Sequence, residues 1–260
     1  MHPTYFMSHR RYLLGAMAAG LVLAGTAPAA QAASWIEGFG PGRVIGSGKL
    51  GSEARSVGSF QAIHLKGSMK LVLRQAGKEA VDVRADDNLL ALIETTVVNR
   101  AGVPTLEVGT KKGSSYSTHT QMVITIDVVE LKAIEISGSG DVVSQGLKTG
   151  ELKVGIVGSG DVRLRELTAA ALGIEVSGSG DVGVTGKTGK LSVSISGSGD
   201  VSTQGLEADD VSVSIAGSGD ALVNARKTLS VSIAGSGDVA YTGDPALRTS
   251  IAGHGSVKKR

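Results

Sequence analysis

The chain has 260 residues, with 26 Lys and Arg against 24 Asp and Glu, and it contains no cysteine. The near balance of charge argues against nucleic-acid binding, which needs clustered basic residues, since the one basic run is the C-terminal tail at 258–260. Disulfides are excluded, so we expect stability to come from apolar burial and backbone pairing. With 38 glycines and only 3% aromatic residues, we expect a core of small aliphatic side chains.

The N-terminus has the three parts of a secretory signal peptide. Arg10 and Arg11 precede an uncharged run, and Ala30-Gln31-Ala32 follows it as an A-x-A cleavage site. The run has about 13 residues, whereas a membrane-spanning helix needs roughly 20. We therefore predict a signal peptide at 1–32 and export to the periplasm, the cell surface or the extracellular space. The arginine pair resembles a twin-arginine signal, and an ordinary Sec signal is the alternative. No later segment is apolar enough to span a membrane.

Two less regular segments follow the signal peptide. Residues 33–57 are rich in Gly and Ser and predict a linker or a loosely attached lead-in. Beyond them, short alternating runs predict strands, and the Asp-initiated stretch 86–93 predicts one short helical turn. We interpret 58–130 as irregular early coils that cover the open edge of a regular solenoid.

The segment 131–257 is built from a repeat whose most regular part is Gly-Ser-Gly-Asp. Six copies begin at Gly138, Gly158, Gly178, Gly197, Gly217 and Gly235, and a degenerate copy, Gly-His-Gly-Ser, begins at Gly253. Successive copies are 18–20 residues apart. A fixed period of about this size is typical of a solenoid, in which each unit buries its apolar face against its neighbours.

The residues around each motif indicate which solenoid this is. Apolar residues stand two, four and six positions before the first glycine, as in Leu191, Val193 and Ile195. This period-two alternation predicts a strand with one buried face, and glycines such as Gly146 and Gly186 predict a second corner. No unit has room for a crossover helix. We therefore predict an all-β fold, a right-handed parallel β-helix (β-solenoid) with about 18–20 residues per coil.

These residues resemble the GIN domain, also called the putative auto-transporter adhesin head domain, over roughly 58–257. The similarity rests on Phe60-x-x-Ile63, Gly67 with the strand 69–73, Asp87-Asn88-Leu89-Leu90, Leu131-Lys132-x-Ile134 and the serial Gly-Ser-Gly-Asp-Val units. Val129-Glu130-Leu131 departs from the family, which often has a proline before the leucine, and this affects a local turn. The resemblance implies an exported right-handed β-helix and, by its name, adhesin-like or other extracytoplasmic binding. It implies no catalytic residues.

If the coils stack in register, the aspartates of the motifs form a column. Its members are Asp141, Asp161, Asp181, Asp200, Asp220 and Asp238. Glycine tolerates positive φ, and Asp and Ser bond to nearby N–H groups in turns, so the motif favours a structural corner. A metal site is the alternative, because like charges at this spacing repel unless they are solvated, paired or bridged by cations. One Asp per coil supplies few of the six to eight oxygens that calcium prefers.

Catalytic chemistry has little support in the sequence. The three histidines beyond the signal peptide lie far apart, at His64, His119 and His254. There is no G-x-S-x-G motif, and no helix follows the glycines to bind a phosphate. Outward-facing charges on the first coils would be the place for the acid–base cluster of a carbohydrate-active β-helix enzyme. They are Glu135, Lys153, Glu175, Arg163 and Arg165. We interpret them as ordinary solvated charge.

A second outer feature is a double row of serines on three successive coils. They are Ser192, Ser194, Ser212, Ser214, Ser230 and Ser232. Small hydroxyls on a flat parallel sheet could contact a glycan or a surface protein, and their simpler role is solubility. We predict an exported, non-catalytic binding or scaffold module without a cofactor. A carbohydrate-active enzyme and a cation-stabilised structural solenoid are the alternatives.

Overall fold

The computed structural model describes residues 43–260. The predicted signal peptide at 1–32 and the first part of the lead-in, 33–42, lie outside the described residues. Almost all of the described chain is β-structure, and within it no helix is both long enough and apolar enough to cross a membrane. The prediction of an all-β solenoid is confirmed.

Short strands make up the N-terminal part of the described chain. They are β1 (Val44–Ile45), β2 (Leu50–Arg55), β3 (Ala62–Gly67), β4 (Lys70–Gln75), β5 (Ala80–Asp86), β6 (Ile93–Arg100), β7 (Val103–Thr110), β8 (Tyr116–Ser117) and β9 (Val123–Val128). A 3₁₀ helix (Leu90–Leu92) precedes β6. It lies within 86–93, where the sequence predicts a helical turn.

The repeats form ten strands, five of which are the longest in the described chain. They are β10 (Ala133–Gly138), β11 (Asp141–Gln145), β12 (Lys148–Gly158), β13 (Asp161–Gly178), β14 (Val182–Gly197), β15 (Val201–Gly217), β16 (Ala221–Gly235), β17 (Asp238–Thr242), β18 (Ala246–Gly253) and β19 (Ser256–Lys259). Strands β13 to β16 each run almost from one Gly-Ser-Gly corner to the next. The predicted second corner bends them without ending them, since the pairing register shifts there, for example between Leu164 and Leu167.

The repeats stack in parallel and in register, so each side chain lies beside its equivalent in the next coil. Ile195 pairs with Ile215, and Ile215 pairs with Ile233. Neighbouring strands lie about 4.8 Å apart, which brings the inward-facing aliphatic side chains into van der Waals contact as continuous ladders. All three isoleucines are only 1% exposed. Within the repeats, the core is therefore a stack of aliphatic layers.

The N-terminal part covers one end of this stack with a different pattern. Strands β3 and β4 form the coil before the repeats, because they pair in parallel with β10 and β11. Beyond them, β6 and β7 form an antiparallel hairpin, and β5 pairs antiparallel with both β2 and β9. The open edge of the first coils is therefore paired.

Strand β2 departs from the predicted linker at 33–57. Its sequence, Leu-Gly-Ser-Glu-Ala-Arg, has no apolar alternation, and most of its residues are exposed. It is held by backbone pairing to β5 instead, from Leu50 opposite Asp86 to Arg55 opposite Val81. Such pairing leaves no hydrophobic pattern in the sequence, so the composition alone predicted a linker.

The Gly-Ser-Gly corners bring the backbones of successive coils into direct contact. The first glycine has a left-handed φ that L side chains rarely adopt, for example +142° at Gly217. A Cβ on Gly217 would lie 2.2 Å from the carbonyl oxygen of Gly197, and a Cβ on Gly219 would lie 2.2 Å from that of Gly199. Both glycines of the motif are therefore required by close approach, and the first is also required by its φ.

We expect Gly217→Ala to lower the free energy of unfolding by about 3 kcal/mol, because backbone strain and steric overlap add. Gly183→Ala is the matched control, since Gly183 lacks the left-handed φ and an added Cβ there would meet nothing within 4 Å. This control should be neutral or stabilise by up to about 1 kcal/mol. Chemical denaturation followed by circular dichroism measures both variants, and similar losses in the two would contradict the prediction.

Candidate functional site

The six motif aspartates form the predicted column, and hydrogen bonds join the five from Asp161 to Asp238. Asp141 pairs with Asp161 in register. From Asp161 onward, the Oδ1 atom of each aspartate accepts the backbone N–H of the aspartate in the next coil. The N···Oδ1 distances are 3.3 Å (Asp181 to Asp161), 3.2 Å (Asp200 to Asp181), 2.9 Å (Asp220 to Asp200) and 2.8 Å (Asp238 to Asp220). Each N–H dipole lies against a carboxylate and offsets part of the repulsion along the column.

Both ends of the column carry a residue that complements its charge. Lys70 occupies the position next to Asp141 on the N-terminal side. At the other end, Ser256 donates its backbone N–H and its hydroxyl to Oδ1 of Asp238, both at 2.8 Å. The hydroxyl bond and then the N–H bond lower the pKa of Asp238. Within residues 43–260, no three His, Asp or Glu side chains are grouped closely enough to hold a metal ion.

The serine double row has the predicted geometry. Ser192, Ser212 and Ser230 pair in register, and Ser194, Ser214 and Ser232 form the parallel row beside them. Five of the six are exposed and Ser194 is half-buried. Ser250 extends the second row by one coil, while Arg248 ends the first. We call these six serines the serine face.

An open groove of about 510 Å³ runs along one side of the serine face. Ser192, Ser212 and Ser230 line it together with charged residues such as Lys190 and Asp210. Thr228 donates its hydroxyl to Asp210 at 2.7 Å, which fixes that carboxylate at the rim. The groove therefore joins a strip of hydroxyls to a row of charged side chains.

A shallow basin of about 450 Å³ adjoins the serine face on the earlier coils. Its floor includes Gly155 and Gly173, and neither glycine is required by packing, because an added Cβ would meet no atom nearer than 3.9 Å at the first or 4.0 Å at the second. Glu135, Lys153 and Glu175 line it. Mid-strand glycines weaken a strand and often mark a place where another molecule approaches closely.

The five outward charges of the first coils do not form one patch. Glu135, Lys153 and Glu175 line the basin beside the serine face. Arg163 and Arg165 line a different cavity, on the strand that follows the Gly-Ser-Gly corner. The corner turns the chain between these two sets, so an acid–base cluster drawn from all five is not present.

A polar cluster that the sequence did not reveal surrounds His64, which is only 7% exposed. Arg100, at the end of β6, donates to Nδ1 of His64 and to Oε2 of Glu135, both at 2.7 Å. Because arginine only donates, Nδ1 is the acceptor and Nε2 carries the hydrogen, which it donates to Ser137 Oγ at 2.8 Å. His119 and His254 are exposed on other elements.

The His64 cluster contains the residue types of a Ser–His–acid triad. The hydrogen bond between His64 and Ser137, however, runs in the direction opposite to that of a catalytic triad. A general base must accept the serine proton, whereas Nε2 of His64 already donates to Ser137. The nearest oxygen of Glu107 is 3.7 Å from Nδ1, too far for a hydrogen bond. Burial, followed by the positive charge of Arg100, lowers the pKa of His64. The neutral ring therefore links Arg100, at the end of β6, to Ser137 on β10 across the outer face of β3.

Comparisons with known proteins agree with this architecture. The sequence profile of a family described as "Putative auto-transporter adhesin, head GIN domain" matches residues 59–245. A putative adhesin from Bacteroides fragilis NCTC 9343 is 27% identical, with a TM-score of 0.77, over 84% of this chain and 100% of its own. A protein from Parabacteroides distasonis ATCC 8503, named as a putative lipid binding protein, is 26% identical with a TM-score of 0.70, over 84% and 100%. No curated protein matches the chain.

We expect Asp220→Ala to destabilise the fold by about 1 kcal/mol, because the N–H of Asp238 loses its acceptor at a solvent-accessible corner. Asp220→Asn keeps an oxygen in that position and should retain most of the stability. Chemical denaturation distinguishes the two variants.

We also expect the chain to have the same melting temperature in EDTA and in calcium. A calcium-dependent rise in melting temperature that disappears in Asp220→Asn would instead make the aspartate column a metal site.

The lowered pKa of His64 predicts a dependence of stability on pH. The folded state binds this proton less tightly than an unfolded histidine, whose pKa is 6.5. The contribution of His64 is therefore fully present above pH 6.5 and is lost as the pH falls from 6.5 toward the folded pKa. In melting curves against pH, His64→Gln should remove this loss, and the exposed control His254→Gln should keep it. Parallel curves for the chain and His64→Gln would contradict the prediction.

Proposed function

The chain belongs to the GIN domain family, described as "Putative auto-transporter adhesin, head GIN domain", and we propose that it is an exported, non-catalytic binding module that uses the serine face. The signal peptide predicted at 1–32 supports export. The naming of its structural relative from Bacteroides fragilis as a "putative adhesin" supports adhesin-like binding. The partner class that we propose is a glycan or a surface protein.

The observation that carries this proposal is the in-register double row of hydroxyls. Each serine can donate one hydrogen bond and accept others, and its short side chain loses little conformational entropy when a partner covers it. The rows repeat at the strand spacing of about 4.8 Å, on a backbone that the coils above and below hold in place. The serine face is thus a pre-organised and regular array, which lowers the cost of binding.

The absence of catalysis is the second part of the proposal, and two contacts support it. Nε2 of His64 donates its hydrogen to Ser137, so this serine is not activated. Glu135 is held in an ion pair by Arg100, which occupies one of its carboxylate oxygens.

A glycan array and intact bacterial or host cells test the proposal, with the purified chain as the probe. Ser212→Lys places a long charged side chain at the centre of the serine face and should weaken binding at least about tenfold, which corresponds to 1.4 kcal/mol. Ser202→Lys is the matched control, because Ser202 is exposed on the strand beyond the corner. Its binding should be unchanged, and both variants should keep the melting temperature of the unaltered chain.

Three results would count against the proposal. Equal losses in Ser212→Lys and Ser202→Lys would mean that binding does not use the serine face. Turnover of a bound glycan, detected as new reducing ends or unsaturated products, would support the carbohydrate-active enzyme instead. Fractionation of the producing cells that leaves the unprocessed chain in the cytoplasm would remove the premise of export.

A further inference from the structure

A second candidate site lies past the Gly-Ser-Gly corner, away from the serine face. Arg74, Gln145 and Arg165 occupy one outward position on three successive coils, since Gln145 pairs with Arg74 on one side and with Arg165 on the other. Val72, Val143 and Arg163 form the neighbouring column. Together these six residues line an open cavity of about 620 Å³, which we call the arginine cleft.

The cleft carries more positive than negative charge. Arg74 donates from Nε to Oδ1 of Asp127 at 2.8 Å, and Arg163 donates from Nη2 to Oδ2 of Asp161 at 2.9 Å. Arg165 has no ion pair within the described residues. A guanidinium has five N–H donors, so the two paired arginines keep most of theirs. Three arginines against two aspartates leave one positive charge and many unused donors around the cavity.

The backbone beside Arg165 is unusual as well. Glu166 has φ of +55°, one of two non-glycine residues with positive φ within 43–260. The pairing register shifts between Leu164 and Leu167, so Arg165 and Glu166 form a bulge. The corresponding bends of neighbouring coils use glycine, at Gly146 and Gly186, both with positive φ. A strained bulge of this kind re-aims the adjacent side chains and is common next to binding sites.

We propose that the arginine cleft binds the carboxylate of an acidic glycan. Arg74 and Arg165 are two strand spacings apart, about 9.6 Å, so their long side chains can converge on one oxyanion above the amide of Gln145. The planar guanidinium matches a carboxylate with two parallel hydrogen bonds. Val72 and Val143 are half-buried and give the floor an apolar surface that suits the C–H face of a sugar ring.

The surrounding charges select a glycan with widely spaced carboxylates. The aspartate column runs beside the cleft and continues through Asp181 and Asp200 on the next coils. A densely charged polymer such as DNA carries about one charge per 1.7 Å and would meet these carboxylates as soon as it extended beyond the arginines. A glycan with one carboxylate in every second sugar meets the arginines with one group and presents neutral sugar to the aspartates.

Calorimetric titration of the chain with hyaluronan oligosaccharides, which have this charge spacing, tests the proposal. We expect saturable binding, and we expect Arg165→Gln to weaken it by about tenfold or more, as for loss of a bidentate arginine–carboxylate contact. Arg248→Gln is the matched control, because Arg248 is an exposed arginine at the end of the serine face. The control should bind as the unaltered chain does, and both variants should melt at the same temperature as that chain.

Control ligands test whether the arginine cleft recognises the carboxylate of the glycan. Hyaluronan with esterified carboxylates and neutral dextran should not bind, and free acetate should compete only weakly. Equal weakening in the two variants, equal binding of dextran, tighter Arg165-dependent binding of DNA, or no saturable binding of hyaluronan would each overturn the proposal. The Ser212→Lys variant should bind hyaluronan normally, so failure here and failure of the serine face are separate results.

Discussion

At each Gly-Ser-Gly corner, the backbone of one coil lies directly on the backbone of the coil before it. The carbonyl oxygen of Gly158 occupies the space that a Cβ on Gly178 would need, at 2.2 Å, and the same contact recurs between Gly178 and Gly197 at 2.3 Å. Such contacts allow only one register, because a shift by one residue would place Ser or Asp where only glycine fits. Once the corners are fixed, every other position of the coil is fixed relative to its neighbours, and the aliphatic ladders follow.

The same register places identical charges above one another, which would destabilise an ordinary sheet. The aspartate column reduces this cost through hydrogen bonds made at the corner itself. The chain direction changes there, so the N–H of one Asp points toward the previous coil and is accepted by its carboxylate, as between Asp220 and Asp200. One Asp per coil therefore accepts a hydrogen bond from the backbone N–H of the next Asp, and this bond reduces the electrostatic repulsion between the two carboxylates. These hydrogen bonds favour a structural role for the repeated Asp, and at the last corner Ser256 donates to Asp238 in the same way.

The parts of this fold that local pattern controls were predictable, and the parts that depend on distant contacts were not. The period, the period-two alternation and the glycine pairs are each visible within about twenty residues, and they predicted the solenoid and its stacking. Strand β2 has no such pattern, because backbone pairing with β5 holds it. His64 and Arg100 are 36 residues apart and meet only because β7, which forms a hairpin with β6, pairs with β3. Arg163 and Arg165 are separated from Glu175 because the corner turns the chain. The period-two alternation predicts that all three side chains face outward, but it does not predict the direction of that turn.

The glycines separate the positions that maintain the fold from those that are free to vary. At Gly217 and Gly219 an added Cβ would overlap the previous coil, whereas at Gly155, Gly173 and Gly183 it would meet nothing closer than 3.9 Å. Outward columns can therefore change residue by residue without disturbing the register, and here they carry hydroxyls on one side of the corner and arginines on the other. A solenoid with a regular interior and independent outer columns can hold two chemically different surfaces, here the arginine cleft on the earlier coils and the serine face on the later ones. This independence is what allows each surface to be altered alone and its role measured without unfolding the other.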